Sequence, residues 1–237
     1  MGKNRVDVSA YLVVGPENTL GRPVRDVVSD AVRAGFTAVQ IRSKTASARE
    51  LIGICRESAI AIGQLGKSDS VSLLVDDRLD IVLAAREEGI KVDGIHVGQK
   101  DIPVSVCRKY LGEDAVVGLS ARTFDLLEYA RGLSADEYGM IDYFGAGPLH
   151  KTQSKADAGL DLSGNFHTRN MGELSELARI SRVPVVVGGG VTVDDIPALR
   201  STGVAGFFVI SAVAGAENPF SAASALVSAW RACGCSS

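Results

Sequence analysis

Gln40, Arg42 and Lys44 occupy alternate positions in Gln40-Ile41-Arg42-Ser43-Lys44, directly after the apolar run Phe36-Thr37-Ala38-Val39. Alternate side chains of an extended strand share a face, so an amide and two cations converge while Ile41 and Ser43 point away. Burying two cations is costly without a counter-charge, and an anion would supply it. For this stretch alone, a solvated strand terminus with an accidental basic pair is the alternative.

The same design recurs where other apolar runs end. Asp76-Asp77-Arg78 follows a third run, and His96-Val97-Gly98-Gln99-Lys100-Asp101 closes a fourth. Ser120 ends a fifth, and Gly147-Pro148-Leu149-His150-Lys151-Thr152-Gln153-Ser154-Lys155 follows a sixth. Gly188-Gly189-Gly190 and Ile210-Ser211-Ala212 end the seventh and eighth. Cations, carboxylates, hydroxyls and two backbone-rich loops suit a polyphosphate with a divalent metal. Carboxylate oxygens ligate magnesium, and Arg or Lys meets nonbridging phosphate oxygens. No Ser–His–Asp nucleophile set is visible.

Elements must bring these residues together. Short β-branched runs at 11–14, 36–41, 71–75, 94–97, 115–119, 141–144, 184–187 and 206–210 read as strands. Between them, helical spacing predicts helices over 24–34, 48–62, 79–88, 104–111, 124–133, 172–180, 193–201 and 220–232. Such alternation argues for a parallel sheet with helical crossovers. Eight units close naturally into a barrel, and Gly15-Pro16-Glu17-Asn18 after the first strand is not the Gly-x-Gly-x-x-Gly turn of a doubly wound sheet. The expected fold is α/β, a single (β/α)8 TIM barrel spanning 1–237. Its N-terminus (about 1–9) and C-terminal tail (about 232–237) are expected to be flexible. Function in this fold sits on loops at the C-terminal strand ends, where the polar residues fall.

Composition excludes several classes. With 237 residues, 46% of them hydrophobic, the chain can bury a sizeable core, and a formal charge of −3 leaves no basic footprint for nucleic acid. No apolar run approaches the roughly 18–20 residues of a membrane span. The start lacks the apolar stretch of a secretory signal, and Val6 stands where a myristoylation motif wants Ser or Thr. Cys55, Cys107, Cys233 and Cys235 form no Cys-x-x-Cys pair and read as unpaired thiols of a cytoplasmic protein.

Taken in order, these motifs resemble thiamine-phosphate synthase: Gln40-x-Arg42-x-Lys44, the acidic pair before Arg78, and Gly94-x-His96-x-Gly98-Gln99-x-Asp101. Gly118-x-Ser120, Thr152-x-Ser154-Lys155, the glycine doublet and Ile210-Ser211-Ala212 continue the series. The resemblance runs from 11 to about 230. It implies a cytoplasmic transferase that joins hydroxymethylpyrimidine diphosphate to a thiazole phosphate and releases pyrophosphate, with Mg2+ required. The implied mechanism is dissociative, the thiazole nitrogen capturing a pyrimidine cation. A pyrimidine kinase as pathway partner and a homo-oligomer are further expectations; nucleic acid and membrane are not.

Carried over by motif, Gln40, Arg42 and Lys44 would hold the pyrimidine diphosphate. Asp77 and Asp101 would ligate magnesium, with Asp76 beside the substrate as an outer ligand. Ser120 and Lys155 would contact the pyrophosphate and, with Arg42, act in catalysis. Thr152, Gln153 and Ser154 would approach the thiazole phosphate from one side, with Gly190, Ile210 and Ser211 offering backbone amides from the other. His96 is read as a packing residue, and His150 and His167 have no assigned role.

The family usually has Asn-Asp where this chain has Asp76-Asp77, and Leu149-His150-Lys151 replaces its usual aromatic-proline approach. A substrate-ordered lid and a plain surface loop both fit the polar stretch 156–170. Thiazole tautomerase relatives share the barrel, but Pro148 occupies the place of their catalytic histidine. A noncatalytic phosphate-ligand-binding domain is the other alternative, with Asp76 its only support.

Overall fold

Alternating β-branched and amphipathic segments give, in the computed structural model, eight parallel strands closed into a barrel in sequence order. Residues 6–121, 125–151 and 166–233 are described. The strands are β1 (Ala10–Val14), β2 (Ala38–Ile41), β3 (Ser72–Asp76), β4 (Gly94–Val97), β5 (Val116–Ser120), β6 (Tyr143–Ala146), β7 (Val185–Val187) and β8 (Gly206–Val209). β8 pairs back onto β1, Tyr11 lying opposite Phe208, which leaves no open edge.

Helices surround the strands: α1 (Val24–Ala34), α2 (Ala48–Gln64), α3 (Leu79–Glu87), α4 (Val104–Leu111), α5 (Leu126–Gly132), α6 (Ala135–Gly139), α7 (Met171–Ile180), α8 (Ile196–Ser201), α9 (Ser211–Ala214) and α10 (Pro219–Ala232). α1 shows why such segments fold where they do. Val24, Val27, Val28, Ala31 and Val32 line one face and are buried, and Gly35 stops the helix at φ +108°, a left-handed conformation that favours glycine. Each fully buried valine contributes about 1.5–3 kcal/mol. α2 begins at a reciprocal cap between Ser47 and Glu50.

Strand alternation divides the core in two. Leu12, Val14, Val39, Ile41, Val75, Ile95 and Val117 pack outward in the layer shared with the helices. Tyr11, Val13, Ala38, Leu74, Val116, Tyr143 and Val186 fill the barrel interior. Gly118 is required there, because any side chain on it would collide with the Tyr143 ring.

Several boundaries differ from expectation. β2 starts at Ala38 rather than at 36, because the Phe36 amide still bonds to Ala31 O as part of the α1 terminus. β6 runs two residues later than 141–144. The Asp142 carboxylate is engaged by the Val117 amide and by Arg108, so the ladder begins after it. A shift of two preserves which side chains face inward. The segment expected as a helix over 193–201 divides into a 3-10 turn, Val193–Asp195, and α8. α6 and α9 were not anticipated. Within the stretch expected to be a flexible N-terminus, Val6 and Val8 are buried in the inner cluster. Residue 124, the expected start of the fifth helix, lies outside the described residues. No described helix is long and apolar enough to cross a membrane.

Candidate active site

The end of β2 places Gln40 inward, buried against the β3 terminus. Gln40 Nε2 donates to Asp76 Oδ1 at 2.5 Å. Arg42 Nε lies 3.1 Å from Asp76 Oδ2, and Lys44 Nζ lies 3.5 Å from the same oxygen. Only Gln40 lies within β2, which ends at Ile41, and Arg42 and Lys44 follow on the loop. The loop's course, and not strand alternation alone, brings the three together, and the anion they converge on is a carboxylate of the chain itself. Lys44 also ion-pairs with Asp77. Burial would depress the Lys44 ammonium, but the hydrogen bond to Asp77 and the charges of Asp76 and Asp77 leave its pKa raised.

Asp77 sits at φ +60°, one of two non-glycine residues with positive φ among the described residues. Aspartate tolerates this left-handed region better than most residues, at some cost. Bonds from the Asp77 amide to His96 O (2.8 Å) and from the Arg78 amide to Asp76 O (2.7 Å) hold the turn. The Asp77 and Asp101 carboxyls interact directly. For Asp77, burial opposes ionisation, yet hydrogen bonds with Lys44 and Asp101 leave its pKa lowered. Asp101 is raised, by burial first and then by its hydrogen bond to Asp77 and that residue's charge.

Two carboxyls pressed together beside a single lysine form a hard-oxygen donor pair. Among the described residues, no group of three or more His, Cys, Asp and Glu side chains is placed to hold a metal ion, so the pair would have to be completed by oxygens from elsewhere. The pair fits magnesium, which keeps several waters and takes one or two carboxylates together with substrate phosphate oxygens.

β4 and β5 complete this half of the mouth. His96 Nε2 is 2.9 Å from Ser120 Oγ, and its Nδ1 is 2.9 Å from Tyr143 OH, with the two rings stacked. Tyr143 OH is 2.8 Å from Tyr11 OH, which donates to Gln40 Oε1 at 2.9 Å. A buried polar chain therefore crosses the barrel from Ser120 to Asp76. Gln99 Nε2 donates to Ser120 O at 2.7 Å and fixes the backbone at the β5 end.

Among the described residues, the other half of the mouth is organised by main chain. Gly189 and Gly190 adopt φ +87° and +75°, conformations that disfavour any other residue. The His150 amide bonds to Gly189 O at 2.8 Å, and the Leu149 amide to Gly188 O at 3.0 Å. The chain leaving β6 is thereby seated on the β7 terminus. His150 Nε2 also pairs with Asp195 Oδ1 at 2.9 Å. Ile210 caps α9, and Ser211 is its first residue.

The family model described as thiamine monophosphate synthase matches residues 10–213. The chain belongs to this family. A thiamine-phosphate synthase of Corynebacterium efficiens is 40% identical over 214 residues, covering 90% of each chain. One from Corynebacterium jeikeium is 36% identical over 224 residues, covering 94% of each. The solved thiamine phosphate pyrophosphorylase from Pyrococcus furiosus superposes with a TM-score of 0.76 at 26% identity, covering 97% of this chain and 98% of that one. The activity is that of a thiamine-phosphate synthase, a transferase of thiamine biosynthesis.

In this synthase, Gln40, Arg42, Lys44, Asp76, Asp77, Asp101 and Ser120 lie on adjacent strand ends, linked by the contacts above. Gly190, Ile210 and Ser211 lie on the β7 and β8 ends at the same mouth. Thr152, Gln153, Ser154 and Lys155 fall outside the described residues. Sequence reasoning missed Tyr11, Tyr143 and Glu17. Inward alternation along the first strand signals Tyr11. Nothing local signals Glu17, whose carboxylate accepts from Ser43 Oγ (2.5 Å), Thr45 Oγ1 (2.8 Å) and the Lys44 amide (3.1 Å) and so holds the loop carrying Lys44.

Proposed function

We propose that the chain joins hydroxymethylpyrimidine diphosphate to hydroxyethylthiazole phosphate, forming thiamine phosphate and releasing pyrophosphate. The observation that carries this reading is the convergence of Gln40, Arg42 and Lys44 on one carboxylate beside the Asp77–Asp101 pair. That is an anion site and a hard-metal donor pair side by side.

As the bond to the pyrimidine methylene breaks, negative charge grows on the departing pyrophosphate. Arg42 and Lys44 are already fixed by Asp76, so they stabilise that charge with little reorganisation. Lys155 belongs to the same role by motif. Asp77 and Asp101 would hold magnesium, which when bound supplies further neutralisation of the leaving group. The thiazole phosphate is assigned to the opposite half, to the amides of Gly190, Ile210 and Ser211 and to Thr152, Gln153 and Ser154. That placement leaves the thiazole nitrogen to capture the pyrimidine cation between the two anion sites. A cytoplasmic setting fits the free, buried thiols of Cys55 and Cys107, which burial pushes up to about 12 and about 11.

The test is to supply the purified chain with both substrates and magnesium. Thiamine phosphate and pyrophosphate are expected in equal amounts, and EDTA should stop their formation. Binding of both ligands without pyrophosphate release at any magnesium concentration would favour a noncatalytic domain. Isomerisation of the thiazole alone would favour a tautomerase.

A further inference from the structure

The polar chain across the barrel has a direction, and Asp76 sets it. Asp76 Oδ2 faces two cationic donors, Arg42 Nε and Lys44 Nζ, and Oδ1 lies 2.5 Å from the Gln40 amide, so the carboxyl presents acceptor oxygens to this chain. Gln40 must therefore turn its NH2 toward Asp76 and its carbonyl oxygen toward Tyr11, so the amide orientation follows from chemistry as well as from position. Tyr11 gives its one proton to that carbonyl, leaving lone pairs for Tyr143. Tyr143 then donates to Tyr11 and has only lone pairs left for His96. Burial raises the pKa of both phenols well above the ordinary value, so each keeps the proton that this order requires.

We infer that His96 is a neutral imidazole protonated on Nδ1, with Nε2 bare, and that Ser120 donates its hydroxyl proton to that nitrogen. Nδ1 faces an oxygen that can only accept, and Nε2 faces a hydroxyl free to rotate. Asp76 is thus a positioning residue for Ser120 through Gln40, Tyr11, Tyr143 and His96. With its proton committed, Ser120 Oγ meets a ligand with lone pairs alone. Its partner in a complex is an N–H or O–H donor such as a ring amino group, and not a phosphate oxygen. This revises the pyrophosphate contact that the resemblance implies for Ser120.

The tautomer can be read from the barrel alone. A long-range proton–nitrogen correlation on histidine-labelled chain at pH 8 should show His96 as the Nδ1–H form, assigned among the three histidines by His96→Gln. An Nε2–H form or a doubly protonated ring in the unaltered chain overturns the inference. Tyr143→Phe removes the acceptor that holds the Nδ1 proton and should switch His96 to the Nε2–H form; an unchanged spectrum overturns the relay.

The consequence for Ser120 rests on the proposed synthase reading and is tested separately, by calorimetry of pyrophosphate with magnesium. Ser120→Ala should bind pyrophosphate within about twofold of the unaltered chain, whereas losing a true phosphate contact costs about 10-fold or more. A loss of that size overturns the acceptor role. If the unaltered chain binds no pyrophosphate at all, the synthase site assignment fails and the tautomer result still stands.

Discussion

From β2 to β5 the barrel mouth is built of side chains that hold one another: Gln40, Arg42 and Lys44 on Asp76, Lys44 on Asp77, Asp77 on Asp101, His96 on Ser120. From β6 to β8 the described residues hold one another through main chain, with glycines at positive φ and amides bonded across the β6 and β7 ends. The first half needs internal counter-charges because clustered cations and carboxylates repel or desolvate badly when left alone. Among the described residues, the second is held by main-chain bonds at the glycine turn and asks chiefly for the correct backbone. A site that must stabilise growing charge uses the former, and a site that only anchors a phosphate can use the latter.

The contrast is sharpest in variants that remove one element from each half. Asp77→Ala should have the largest effect, because it removes a metal donor and the nearer of the two carboxylates paired with Lys44. Loss of activity should exceed the about 10–100-fold typical of losing a group behind the ligands, and added magnesium should not restore the rate. Near-normal turnover would remove Asp77 from the metal site. Arg42→Met comes next. A charge-assisted phosphate contact is worth about 1.5–3 kcal/mol, or roughly 10- to 150-fold. That loss should appear in kcat as well as in the KM for the pyrimidine diphosphate and leave the KM for the thiazole phosphate unchanged. Equal changes in both KM values would mean the halves are not separate.

Gly190→Ala should be the mildest and should show the reverse pattern. The new methyl group would lie 2.9 Å from His150 Cβ in a left-handed conformation, so the turn must shift. With a conformational cost of about 1–2 kcal/mol, the expected result is a rise of about 5- to 30-fold in the thiazole phosphate KM alone. A matching rise for the diphosphate would show that the glycine turn shapes the whole mouth.

How much was legible in the sequence follows the same division. The convergence of Gln40, Arg42 and Lys44 was legible from their spacing, although only Gln40 lies within β2 and the loop held by Glu17 brings the two cations to the same carboxylate. Their partner was not, since Gln40 and Asp76 are 36 residues apart and meet only through strand pairing. Tyr11 and Tyr143 are 132 residues apart and are joined only when the barrel closes. The barrel itself was legible from eight repeats of one alternation, each strand reinforcing the next. Individual boundaries were less so, because tertiary contacts such as Asp142 with Arg108 and Val117 override the local run. α6 carried a readable signal in Ser134 and Glu137, a reciprocal cap three residues apart, that its short length concealed.

The Arg169 amide bonds to Pro148 O at 2.8 Å, and Leu149 and His150 are seated on Gly188 and Gly189. The chain thus returns to where it left the barrel before α7 begins. The exit of β6 and the approach to α7 are thereby pinned to one point of the rim, so the glycine turn after β7 also serves as the clasp that sets where α7 starts.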